Sequence, residues 1–167
     1  MNNPWEDMFS GNRLSLADFQ KLDGLVQLND AGKIEFILTL FYPLSVFDGL
    51  FFVGKAAELG NLASLIVIRE HYKDSKFYSM FGSTAATAAI KEEQWEIADY
   101  LLSEKVDPDD MMSTAAFNGK YELVRKLSSA GIHLPVSPPA EILKNLVAKS
   151  REDRRAASEI LKKMSNK

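Results

Sequence analysis

The stretch Ala115-Ala116-Phe117-Asn118-Gly119-Lys120-Tyr121-Glu122-Leu123-Val124 decides the reading of the fold. A small pair comes first, then two free positions, then a glycine, then an apolar run. Small residues let one helix lie close against its neighbours. Glycine accepts the positive φ that ends a helix without a Cβ clash. Leu123, Val124 and Leu127 then recur at helical steps. The stretch therefore reads as helix, tight turn, and a second helix folded back on the first.

The same arrangement occurs upstream. Ala56-Ala57-Glu58-Leu59-Gly60-Asn61-Leu62-Ala63-Ser64-Leu65 carries it, and so does Ala89-Ile90-Lys91-Glu92-Glu93-Gln94-Trp95-Glu96-Ile97-Ala98. Asp30-Ala31-Gly32-Lys33-Ile34-Glu35-Phe36-Ile37 gives a still earlier turn of Gly-x-x-Glu form. The turns are unevenly spaced: the step from Gly60 to Glu93 is longer than those from Gly32 to Gly60 and from Glu93 to Gly119. Further breaks at Tyr42-Pro43, Lys73-Asp74-Ser75, Val106-Asp107-Pro108, Gly131 and Pro135 through Pro139 cut the chain into helices of roughly ten residues. Ser83-Thr84 and Asp109-Asp110 are placed as helix N-caps, and Pro138-Pro139 suits a first helical turn. No segment alternates with period two. The expectation is an all-α chain, a short solenoid of antiparallel helix pairs.

Composition permits this. Of 167 residues, 46% are apolar, and ten Phe, five Tyr and two Trp are among them, so the chain can build a core. With 20 basic and 23 acidic residues the net charge of −3 gives no basic footprint for nucleic acid. There is no cysteine, which excludes disulfides, thiolate zinc sites and cysteine nucleophiles. Met1 to Asp7 does not read as a signal peptide, and the longest apolar runs (Phe36 to Tyr42, Leu50 to Val53) fall short of a membrane span. A cytoplasmic protein is expected.

The pattern resembles the ankyrin repeat family, whose units join a Thr-Pro-Leu-His-like helix start, a small pair, a glycine turn, a Glu-Val/Ile-Val second helix, a leucine pair and a Gly-Ala-Asp ending. Ala115, Ala116, Gly119, Glu122, Leu123, Val124, Leu127 and Gly131 match it, as do Ala89, Glu96, Ile97, Leu101, Leu102 and Asp107. The step from Gly60 to Glu93 equals the family's period, and the other two steps fall below it. Ser79 through Thr84 looks like the family's hairpin and helix start. Glu93 replaces the turn glycine, Ile90 the second alanine, and no unit carries a true Thr-Pro-Leu-His. The resemblance implies one domain over 1–167, with 1–29 as N-terminal cap, 30–134 as ankyrin-like repeats and 135–167 as a C-terminal capping helix pair. Residues 15–29 read as one amphipathic helix. In the last pair Ile142, Leu143, Leu146 and Val147 face inward, and its second helix carries Arg151, Arg154, Arg155, Lys162 and Lys163.

Chemistry-bearing motifs are sparse. His71 and His133 lack metal-ligand spacing, and Gly82-Ser83-Thr84 reads as a cap and not a nucleophile. Glu92-Glu93 reads as a turn and Asp109-Asp110 as a helix start, where acids suit the macrodipole. No catalytic residue, metal or cofactor is assigned. Phe47, Phe51 and Phe52 are assigned to the core. By the resemblance, the positions beside the small pairs line a concave face: Glu58, Leu59, Lys91, Glu92, Phe117 and Asn118. Met80 and Phe81 fall at a projecting hairpin tip, with Ser83 beside them. Together these form the expected surface for a partner protein, since Met and aromatics are enriched at interface cores. The expected function is non-enzymatic: an inhibitor, immunity factor, adaptor or pathogen-encoded blocker of a host protein, which occludes or scaffolds its partner. Self-association through Phe77, Tyr78, Met80 and Phe81 is a variant of this. The alternative is a nucleic-acid-linked role, through the basic C-terminal helix or by inhibition of a nucleic-acid enzyme.

Overall fold

The computed structural model describes residues 11–41, 44–106 and 108–132. Its regular elements there are all helices: α1 (Leu16–Gln27), α2 (Ala31–Leu40), α3 (Val46–Glu58), α4 (Leu62–His71), α5 (Tyr78–Lys91), α6 (Trp95–Ser103), α7 (Pro108–Phe117) and α8 (Tyr121–Ser129). Packing groups the chain into two compact units, Met1–Val106 and Asp107–Lys167. The first holds α1 to α6 and the second α7 and α8. The capping pair at 135–167, the basic tail, His133 and the first ten residues lie outside the described residues.

One turn geometry joins the two helices of a pair four times among the described residues. Asn29, Gly60, Glu93 and Gly119 each adopt left-handed backbone, with φ of 54°, 76°, 60° and 67°. The residue after each starts the next helix with nearly constant angles: Asp30 (−85°, 75°), Asn61 (−87°, 74°), Gln94 (−81°, 78°) and Lys120 (−88°, 71°). The amides of these four residues donate to Leu25, Ala56, Ala89 and Ala115 carbonyls at 2.8 to 3.0 Å. This is the bonding of a Schellman end, which uses carbonyls the finished helix cannot pair itself. It also reverses the chain so that the second helix packs on the first.

Side-chain amides tie neighbouring turns together within the first unit. Asn61 Nδ2 donates to the Val26 carbonyl at 2.7 Å, and Gln94 Nε2 to the Glu58 carbonyl at 3.1 Å. In the other direction, Asn29 Oδ1 accepts from Ser64 N at 3.0 Å and Ser64 Oγ at 2.8 Å. Asn61 makes no cap bond of its own. The free amide at the start of α4 is capped from the preceding turn instead. Elsewhere capping is local: Ser15, Asp30 and Ser45 accept from Asp18, Lys33 and Asp48 amides, each at 3.2 Å.

The core follows from this alignment. Helix α3 packs on α1, α4 and α5, while α2 packs on α4. Phe52, Val53, Ala56 and Ala57 of α3 are fully buried, as are Phe81, Ala85, Ala89 and Ile90 of α5. The small pairs thus do what the sequence suggested and let helices approach closely. Gly49 is a second such point: a Cβ there would overlap the ring of Tyr72, whose hydroxyl donates to the Ser45 carbonyl at 3.0 Å. In the second unit Met111, Met112, Ala115, Ala116, Leu123, Val124 and Leu127 are buried.

The structure corrects several local expectations. Gly32 lies inside α2, and the turn belongs to Asn29, because Asp30 caps the helix one residue before Ala31. Residues 79–84 form no hairpin. They are helical, and Ser83-Thr84 sit inside α5 where no cap is needed. Asp109 and Asp110 fall in the first turn of α7, after Pro108, where the macrodipole favours acids. Phe47 and Phe51 are 55% and 47% exposed, and only Phe52 of that trio is core.

The turn geometry makes paired stability predictions. Gly60→Ala places a Cβ in strained backbone (φ +76°) and 2.5 Å from Gln94 Oε1. It is expected to lower stability by about 1–3 kcal/mol. Gly24→Ala, inside α1 with no atom within 4 Å of the new methyl, is expected to raise it by about 0.5–1 kcal/mol. Urea unfolding of both variants checks the signs, and a stabilising Gly60→Ala would contradict the role given to that turn.

Candidate binding surface

Helices α1, α3 and α5 lie side by side, with their C-terminal ends joined by the Asn61 and Gln94 amides. Positions counted back from each left-handed residue are therefore aligned across them. Leu16, Phe47 and Met80 precede Asn29, Gly60 and Glu93 by the same length of chain. All three are exposed, by 75%, 55% and 37%. They form an apolar row across three adjacent helices. Phe51, one turn further along α3, joins it and touches the Phe19 ring of α1 at 5.0 Å between centroids.

The middle of this face is mostly small and uncharged. It holds Gln20 of α1, Gly54 of α3 and Ser83, Thr84 and Thr87 of α5, with Asp23 of α1 at the register of Gly54 and Thr87. A Cβ on Gly54 would meet the Thr84 methyl at 3.4 Å, and the Asp23 carboxylate accepts from Gln27 Nε2 at 2.7 Å. At the C-terminal end Lys55 pairs with Glu58 at 3.8 Å, and Lys91 with Glu92 at 3.6 Å. Such exposed pairs contribute little to stability. They frame the apolar row with a polar edge.

The residues singled out from sequence fall into three groups. Glu58, Leu59, Lys91 and Glu92 are exposed at the C-terminal ends of α3 and α5, with Glu58 in register with Lys91 and Leu59 with Glu92. Met80 is exposed and Ser83 half-buried on the same face. Phe81 is the correction: it is fully buried and stacks on Tyr72 at 4.4 Å, because residue 81 points into the α5 packing face and not to a hairpin tip. Phe77 and Tyr78 are half-buried, so no continuous patch runs from 77 to 81. Phe117, 52% exposed, and Asn118, whose amide donates to the Thr114 carbonyl at 2.9 Å, belong to the second unit.

Sequence reasoning missed Leu16, Phe47 and Phe51. The signal was present in the spacing: the step from Phe47 to Met80 equals the step from Gly60 to Glu93. Among the described residues no group of three His, Cys, Asp or Glu is placed to hold a metal ion, and no helix is long and apolar enough to cross a membrane. No family model, curated protein or solved structure matches the chain.

His71 sits in the last turn of α4, edge-on to Tyr72 at 5.0 Å. Burial lowers its pKa below 6.5, since the charged ring loses water. The folded state then binds its proton less readily than the unfolded chain does. Its contribution is complete above pH 6.5 and is lost as the pH falls through the folded-state value. Thermal unfolding of wild type is expected to lose Tm more steeply as the pH falls below 6.5 than His71→Gln does. Equal slopes would remove His71 from the acid response.

Proposed function

We propose that this chain is a non-enzymatic protein-binding module, a short ankyrin-like solenoid of helix pairs that occludes or scaffolds a partner laid across α1, α3 and α5. The row Leu16, Phe47 and Met80 carries this reading. Large apolar side chains at one register of three adjacent helices lose little by being exposed singly. Lined up, they offer a continuous surface whose burial against a partner is favourable. The strip is poor in charge and rich in aromatic and Met side chains, the composition of an interface core. Its charged edge resembles a rim. The solenoid reading is supported by the four equivalent turns and by the amide bonds that link successive ones. The absence of cysteine fits a reducing compartment such as the cytoplasm.

The test is capture of binding proteins from lysates of the source cell and of any host it infects. Wild type would be compared with a Phe47→Ser/Met80→Ser variant shown by circular dichroism and thermal unfolding to remain folded. Phe47 is 55% and Met80 37% exposed, so a stability loss of about 1–2 kcal/mol is expected. Wild type should retain one protein at stoichiometric level. The variant should bind it at least about tenfold more weakly, the loss expected when interface anchors are truncated. Undiminished binding by the folded variant would move the contact off this face.

A further inference from the structure

Arg69 stands out in the interior of the first unit. It follows Gly60 by the same length of chain as Leu38 of α2 follows Asn29 and Leu102 of α6 follows Glu93. Leucine at this register packs a helix seam. Arg69 is instead 2% exposed, with its guanidinium held by two tyrosines. Nη1 donates to Tyr100 Oη at 3.2 Å and Nη2 to Tyr78 Oη at 3.0 Å. The same rings face the cation, with centroids 5.7 Å and 5.0 Å from Cζ. Nε is buried and has no hydrogen-bond partner. Among the described residues no carboxylate forms an ion pair with this side chain.

This arrangement is unfavourable as it stands. A buried cation without a counter-ion loses more hydration free energy than cation–π contacts return. An orphaned N–H adds to the penalty. The arrangement also leaves donors unused. Each tyrosine oxygen accepts from Arg69, so each hydroxyl proton remains to be given to something else. Desolvation raises the Tyr100 pKa, Arg69 opposes this, and Glu104, Tyr78 and Glu70 reinforce it, so the phenol stays protonated. A positive charge, an unbonded Nε–H and two O–H donors at the joint of α4, α5 and α6 make an acceptor-seeking cluster. Tyr78, the first residue of α5, and Tyr100 are both half-buried, so the cluster lies at the edge of the core and not at its centre.

We propose that Arg69, Tyr78 and Tyr100 form a binding site for a small oxyanion, a phosphate or carboxylate group. The anion accepts from Arg69 Nε and from the tyrosine hydroxyls. Charge-assisted bonds to a guanidinium edge are the strongest a neutral-pH protein offers such a group. They satisfy the two features that the cluster leaves open, the charge and the Nε–H.

The buried Nε–H is its own reporter. Inorganic phosphate, and separately acetate, would be titrated into the full chain at constant ionic strength set with chloride, following the 15N-edited resonance of Arg69 Nε–H. At least one oxyanion should shift it saturably while chloride does not. The same anion should raise Tm in wild type but not in Arg69→Leu, a substitution to the residue found at positions 38 and 102. Tyr78→Phe should weaken binding by about tenfold, the loss of one hydrogen bond to a charged group. An Nε–H resonance unmoved by both oxyanions would overturn the proposal, whether or not Arg69→Leu folds. An equal rise of Tm in wild type and a folded Arg69→Leu would overturn it as well.

Discussion

The left-handed residue at the end of each first helix is the constraint on which the rest depends. It pairs the terminal carbonyls in a Schellman end, fixes the exit angle, and starts the second helix one residue later. Because Asn29, Gly60 and Glu93 are all left-handed and the residue after each has nearly the same angles, their flanking residues come into register. Asn61 and Gln94 then reach back to carbonyls at the close of the preceding first helix. Asn29 reaches forward to cap α4. Hydrogen bonds to buried or half-buried backbone groups matter here less for their net energy than for the cost of leaving those groups unpaired.

Alignment of the first helices has two consequences. Inward, it brings small residues opposite one another, so Ala56, Ala57, Ala85 and Ala89 bury completely and large side chains such as Phe52 and Phe81 fill the remaining space. Outward, it lines up whatever the sequence places at a given register. A scattered Leu16, Phe47 and Met80 would be ordinary, since single exposed apolar residues are common on soluble proteins. Their shared register turns them into a surface, which is why the binding proposal rests on the turns as much as on the side chains. Arg69 is the inward counterpart: a charge at a register where Leu38 and Leu102 stand.

Much of this was legible in the sequence. The small pairs, the turn at Gly60 and Gly119, and even the turn at Glu93 without its glycine followed from spacing. Asn29 did not, because Gly32 offered a stronger local signal. The structure prefers Asn29 since Asn tolerates left-handed backbone and Asp30 is a better N-cap than any residue near Gly32. The binding residues were harder. Phe47, Phe51, Phe52 and Phe81 are alike in composition, and only register separates the exposed from the buried. Assigning residues 79–84 to a hairpin shifted that register and placed Phe81 outside, whereas the continuous helix Tyr78–Lys91 turns it inward and leaves Met80 exposed. The Arg69 cluster shows in the sequence only as a charge at a leucine register, since its tyrosines come from two other helices.

The claim that the aligned row is a contact surface is tested most directly by site-specific photo-crosslinking. A photoreactive phenylalanine would be placed in turn at positions 16, 47 and 80, and at 36 on α2, where Phe36 is 65% exposed away from that register. After irradiation in the source or host cell, the account predicts adducts to one and the same protein from 16, 47 and 80, and none to it from 36. Adducts from 36 with none from the row would place the partner on the other side of the helix pairs and contradict it.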